Sequence, residues 1–341
     1  MATNSVMFNK LSGQNDSLYG KIIAPLRQVI VDNASKDTED GVLLRAMYNV
    51  ETSDNFAEAS TGQTGLGTMK PVEEGGKTTN DSIREAYKKI LEHTTFKNRI
   101  VITAEMLEDA KVGTAVRKAK PLVAQFGESY VRTQAEFATK ALVSGKDKTF
   151  TFNGKVFDRT TGDGEALFSP QHKCRNTGNQ SHSNVFSNDF GSDATMLNIL
   201  VNKGRNFKND TGNITRNLFD TIMIPGNTPQ LEALIKVIIA TERVPNSANN
   251  DINTQMNKWQ LIVNPYWIAE NGSEPYILMS SKALKATSGN IFFNRTMLQI
   301  KEDVDEEWNM TLSARARFSC GFFDWRHVLM GGVTNGTTIP T

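Results

Sequence analysis

Between Pro121 and Val143 the chain sets Val123, Phe126, Tyr130, Phe137 and Ala141 at steps built from threes and fours, and Val116 and Ala119 lead into the same pattern. That spacing draws a narrow apolar seam along one face of a helix. Pro121 suits the first helical position, where its missing N–H is not needed and its fixed φ is already helical. A helix from Pro121 to Val143 would run about 34 Å at about 1.5 Å per residue, long for a globular protein, and reads as a strut whose core-facing residues are Val123, Phe126, Tyr130 and Phe137. A short helix over Thr103–Ala110, capped by Thr103, is predicted before it.

The stretch from Asn55 to Lys77 constrains the chain in the opposite way. It holds Gly62, Gly65, Gly67, Gly75 and Gly76 among polar residues with almost no apolar anchor. It cannot pack into a core of its own, so something outside the monomer must order it. Ile83 to Ile102 follows, charged but punctuated by Tyr87, Ile90, Phe96, Ile100 and Ile102, which fits long strands exposed on one side and a ribbon projecting from the body. Ahead of both, Leu18, Ile22, Ile23, Leu26, Val29 and Ile30 predict an arm with one short helix that Pro25 breaks or kinks.

Beyond Gly145 a turn-rich segment anchored by Phe150, Phe152, Phe157, Leu167 and Phe168 predicts a hairpin and an ordered loop. A helix over Asp193–Phe207, a buried strand over Leu218–Ile224, a helix opened by Thr228 and Pro229, and strands over Trp259–Val263 and Tyr276–Met279 then make an α+β unit from about Val185 to Asn309. Met310, Leu312, Ala314, Ala316, Phe318 and Cys320 alternate with polar residues, the pattern of a strand with one buried face. Val333 to Thr341 reads as a solvated tail.

With 341 residues, 38% of them hydrophobic, the chain can bury one large core or two modest ones. Lys plus Arg number 38 against 37 Asp plus Glu, so no net basic field drives tight attachment to nucleic acid, and any DNA contact is expected to be loose. Cys174 and Cys320 are too few and too far apart for a disulfide framework or a paired zinc site. No leader pattern opens the chain and no stretch reaches the length of a membrane span, so a soluble cytoplasmic product without a membrane partner is expected.

Several segments in this order resemble the major capsid proteins of tailed phages with the Hong Kong 97 capsid fold, and especially the Mu-like major head subunits. They are Val72-Glu73-Glu74-Gly75-Gly76-Lys77; Ile100-Val101-Ile102 before Thr103-Ala104-Glu105-Met106-Leu107-Glu108-Asp109; the helix closing at Leu142-Val143-Ser144-Gly145; Ala166-Leu167-Phe168-Ser169 with His172; Leu261-Ile262-Val263-Asn264-Pro265-Tyr266; and Arg315-Ala316-Arg317-Phe318 through Asp324-Trp325-Arg326. The resemblance covers roughly Asp54 to Gly332. It implies an α+β capsid fold with an N-terminal arm over residues 1–54, an extended loop over 55–99, and a peripheral domain over 100–184 built on a spine helix. An axial domain over 185–309 and a C-terminal segment over 310–341 that returns to the peripheral domain complete it.

The same resemblance implies pentamers and hexamers that close an icosahedral head around phage DNA, with the extended loop lying across a neighbour through Lys70, Glu73, Glu74 and Lys77. Lys70 and Lys77 also lie in the loop from which some relatives form Lys–Asn isopeptide links. Partners implied are further copies of the chain, a portal, decoration proteins and non-specifically held double-stranded DNA. Too little chain precedes the loop for a fused scaffolding segment, so a separate scaffolding protein is expected. The place implied is the virion, assembled in the bacterial host cytoplasm.

No catalytic residue, metal ligand or cofactor is assigned. Gly62 to Lys70 has the two-glycine spacing of a phosphate loop, but Thr68 stands where the lysine belongs and no apolar strand precedes it. Glu302, Asp303, Asp305, Glu306 and Glu307 read as a solvated turn, with an intersubunit cation site as the sharper possibility. A nanocompartment shell of the same fold is the alternative within the class. An enzyme using His172 and Cys174, with His182 nearby, is the alternative outside it, and a monomeric nucleic-acid module is disfavoured by the balanced charge.

Overall fold

The computed structural model describes residues 18–35, 38–63, 69, 71–77, 85–108, 112–174, 181–191, 194–210, 212–215, 217–245, 251–270, 272–286 and 289–333. Lys70, the start of the arm and the tail after Val333 lie outside the described residues. The helices are α1 (Leu18–Ser35), α2 (Glu39–Met47), α3 (Ala104–Glu108), α4 (Val112–Val143), α5 (Thr195–Arg205), α6 (Pro229–Ala240) and α7 (Ser281–Ala286). The strands are β1 (Asn49–Thr52), β2 (Ala57–Gln63), β3 (Glu85–Glu92), β4 (Thr94–Ile102), β5 (Thr149–Phe152), β6 (Lys155–Asp158), β7 (His172–Lys173), β8 (Ser181–His182), β9 (Thr221–Pro225), β10 (Gln260–Asn264), β11 (Tyr276–Met279), β12 (Asn290–Val304), β13 (Met310–Phe322) and β14 (Val328–Gly331).

Helix α4 has 32 residues, about 48 Å of axis at about 1.5 Å per residue. It begins at Val112 and not at Pro121, which lies inside it. Pro121 cannot donate to the carbonyl of Arg117, but both residues are exposed, so that carbonyl is open to water while Ala119 and Val123 are buried behind it. Packing outweighs one lost hydrogen bond. Pro25 likewise sits within an unbroken α1, because Leu26 and Ile30 are wholly buried in the cluster that holds Ala119, Val123 and Phe126 of α4. Gly127 lets the two helices approach: a Cβ there would stand 2.7 Å from the Ile30 carbonyl oxygen.

The central sheet has the order β1-β12-β13-β4, with β12, β13 and β4 antiparallel and β1 parallel to β12. Leu312, Ala314, Ala316 and Phe318 of β13 face α4 and are buried. Phe137 is the hub of this contact, 5.4 Å from Phe96, 5.4 Å from Phe150 and 5.0 Å from Phe157, so one residue ties the helix, the sheet and the β5–β6 hairpin together. Of the other seam residues, Val123 and Phe126 are buried and Tyr130 is half-buried, its hydroxyl bonded to Gln134.

The second sheet has the order β10-β9-β11-β14. Its central strands β9 and β11 are buried along their whole length and pack on α5 and α6 through Leu197, Leu200, Leu231 and Ile235. Three boundaries therefore differ from those expected. The ribbon ends at Glu92 and not at residue 99, because β4 pairs with β13. Strand β12, expected within residues 185–309 as part of the axial unit, is instead the partner of β13 in the central sheet. The C-terminal segment supplies β13 to one sheet and β14 to the other, where it had been expected only to return to the peripheral side.

Candidate assembly surface

Strands β2 and β3 form a two-stranded ribbon that shares no strand with either sheet. Its root is fixed in three ways. Leu91 enters an apolar cluster with Ile291 and Phe293, where Gly321 leaves the room its side chain needs. Lys89, almost wholly buried, bonds Asp158 and the hydroxyl of Thr160. His93, at the junction of β3 and β4, meets Ser53 at 3.0 Å and Ser319 at 3.0 Å, and Ser53 donates to Glu58 at 2.6 Å. Ser53 lies just before the other leg of the ribbon, so His93 holds both legs to the sheet. Burial pushes the His93 pKa down, and Arg317 and Arg295 add to this against the pull of Glu58.

The outward side of the same stretch carries exposed apolar side chains. Phe56 is 73% exposed and Ile90 54% exposed. Ile90, one of the apolar residues that punctuate this stretch, points outward, while the polar Lys89 and His93 point inward with Leu91. Met69 and Val72 are exposed too. Glu73, Glu74 and Lys77 are exposed around a tight turn closed by Gly76 N–H donating to the Glu73 carbonyl at 2.8 Å. Gly75 at its corner has φ +77°, a conformation glycine adopts without steric cost. Gly62 lies in β2, and residues 64–68 and 70, the remainder of the phosphate-loop spacing, lie largely outside the described residues.

The acidic run after Lys301 is divided between a strand and a turn. Glu302 and Asp303 belong to β12, and three of the five carboxylates face a cation: Arg27 with Glu302 at 3.7 Å, Lys301 with Asp303 at 2.9 Å, and Arg99 with Asp305 at 3.6 Å. Asp305 also accepts from Asn309 N–H at 2.7 Å, and Asn309 in turn accepts from the Ala104 N–H that opens α3.

His172 and Cys174 do not form a nucleophile pair. The His172 ring is wholly buried, stacked on Trp325 at 4.4 Å, with Nδ1 at 2.8 Å from Asp163 and Nε2 at 3.1 Å from the Leu167 carbonyl. Both ring nitrogens are thus engaged within the fold, and neither faces Cys174. Burial raises the Asp163 pKa, but the hydrogen bond from His172 and those of Thr161 and Glu165 outweigh it and hold the carboxyl below its ordinary range. Cys174 donates to the Lys208 carbonyl at 3.7 Å and accepts from Arg326. Burial works against the Arg326 charge, and Asp324 and Asp210, at 3.0 and 3.1 Å, outweigh it. Cys320, the other free cysteine, is pushed up to about 12 by burial. These groups rivet the fold where β14 returns.

No protein-family model matches the chain, and no curated protein matches it. Solved structures do. A chain from Mycobacterium phage Patience superposes with a TM-score of 0.52 at 11% identity, covering 95% of this chain and 91% of its own. The capsid of a native GTA particle gives 0.52 at 11% identity over 89% and 92%, and the capsid of Ralstonia phage GP4 gives 0.51 at 8% over 87% and 89%. The chain has a capsid fold.

That capsid fold is mixed in class, as the sequence resemblance implied, and it runs through nearly the whole of both chains in each comparison. In it the long helix α4 and the central sheet form one body, the second sheet with α5 and α6 forms another face of the same molecule, and the ribbon stands as the element with the least support from either.

Proposed function

We propose that the chain is the major shell subunit of a phage-type particle, assembling with copies of itself into rings of five and six and then into a closed icosahedral head around double-stranded DNA. The observation that carries this reading is a capsid fold over nearly the full chain combined with exposed apolar side chains beside and on the ribbon, Phe56 just before β2 and Ile90 in β3. Burying a side chain of this size contributes roughly 1.5–3 kcal/mol. A second copy is the surface against which that contribution is realised.

Shell formation needs no reactive group, only contacts that close into rings and tolerate small changes of angle between five-fold and six-fold environments. The interlocked body supplies rigidity, and the ribbon with the turn it carries supplies contacts to a neighbour. Lys70, Glu73, Glu74 and Lys77 are its proposed intersubunit residues. Individually weak contacts suffice, because each subunit makes several at once. A structural role without catalysis, a place in the virion after assembly in the host cytoplasm, and a scaffolding protein, portal and decoration proteins as further partners belong to the same proposal.

Electron microscopy of the negatively stained protein, purified alone and with its neighbouring gene products, tests it. Closed shells, or rings of five or six, are expected. A protein that stays monomeric at every concentration and salt would overturn the reading.

A further inference from the structure

Two clusters of charge, opposite in sign, form no ion pair among the described residues. On the face of the central sheet turned away from α4, Arg315 lies directly across from Lys97 in the β13–β4 register, and Arg317 follows two residues on along the same face. Lys97 and Arg315 are exposed, and none of the three forms an ion pair among the described residues, whereas their neighbours Arg99 and Lys301 do. The Arg317 Nε is buried without a hydrogen-bond partner. Like charges directly opposite each other on a sheet are destabilising.

The anionic cluster is Glu73 and Glu74. Every residue from 71 to 77 is exposed, and the turn that carries the two carboxylates is already closed by its own backbone bond. Neither glutamate forms an ion pair among the described residues. Since the chain as a whole carries a formal charge of only +1, the local cation excess is balanced elsewhere in the same sequence. That balance favours a second copy over a polyanion, whose attachment draws on a net basic surface.

We propose that the row Lys97, Arg315 and Arg317 is the seat for the Glu73–Glu74 turn of a second copy of the chain. The inference rests on the shell reading and names the receiving surface. The contact is charged and at a rim, so it sets register and rate of association more than strength.

The test is a charge swap in the full chain, read by shell yield in sedimentation and electron microscopy, with packaged DNA measured alongside. Glu73→Lys with Glu74→Lys, and separately Lys97→Glu with Arg315→Glu, should each lower shell yield about tenfold, and all four together should restore most of it. If the wild type assembles and the fourfold variant is no better than the worse parent, the proposal fails. It also fails if Lys97→Glu with Arg315→Glu makes shells at normal yield but with less DNA, which assigns the row to nucleic acid instead. Should that pair not fold by circular dichroism, Lys97→Gln with Arg315→Gln replaces it, and undiminished assembly then overturns the proposal. A wild type that forms neither shells nor rings sinks the functional reading first, and this inference with it.

Discussion

His327 is wholly buried, its Nε2 donating to Asn290 at 2.6 Å, and burial pushes its pKa from the usual 6.5 down to about 4. The unfolded chain takes up a proton near 6.5 while the folded chain does not, so stability is steady above that pH and falls as pH drops toward 4. The loss amounts to about 3 kcal/mol. Urea unfolding of the unassembled subunit should show its midpoint falling across this window, and His327→Gln should flatten the slope. A slope unchanged in the variant would assign the titration to other groups. Phe137, at the centre of the aromatic cluster, is where truncation is most costly: Phe137→Ala should lose about 3–5 kcal/mol in the same assay. Phe126→Asp should yield no folded subunit, because the helix seam offers a carboxylate no partner; a soluble, assembling Phe126→Asp protein would refute the placement of that seam.

Among the elements, the crossing of α1 over α4 turns on the missing side chain at Gly127. Gly127→Val should separate the helices and lower stability by about 1–3 kcal/mol, seen as a lower thermal midpoint with the α5 and α6 side of the molecule least affected. Elements whose signal is local were legible in the sequence: β11 from its apolar run, β13 from its alternation, α6 from Thr228 and Pro229. The start of α4 and the continuity of α1 were not, since a proline is read by its backbone cost while the packing of Leu26, Ile30 and Val123 that overrides it is tertiary. Strand β12 was hidden because its outer half carries Lys301, Glu302 and Asp303, which mimic a solvated turn. The ribbon was legible as a stretch without a core. Its root was not: Lys89 and His93 face inward as polar residues, and the alternation that would have revealed Ile90 as an outward contact runs against expectation.

For the whole molecule, folding and assembly separate. Phe56→Ser with Ile90→Ser changes two exposed side chains, so the subunit should melt as the wild type does while shell yield falls; equal loss of both would place these residues in folding instead. Removing everything from Val328 onward acts the other way. It strips β14 from β11 and uncovers Leu278 and Tyr276, so the product should be insoluble and lack a cooperative melt.

That last dependence has a consequence in time. Each four-stranded sheet is completed only by strands after Gly289: β12 and β13 join β1 and β4, and β14 closes on β11. At about 5–20 residues per second of synthesis, β1 and β4 emerge many seconds before anything can pair with them. The ribbon, by contrast, is complete by Glu92. If the ribbon docks on a neighbour as proposed, a growing chain would carry its means of docking long before it has a body to dock, while ribosomes clustered on one message hold many such chains close together. On the proposed shell reading, a surface on which a neighbour's ribbon would settle forms only once β12, β13 and β14 have been made, so the order of strands in the sheets would tie entry into the shell to synthesis past Gly331.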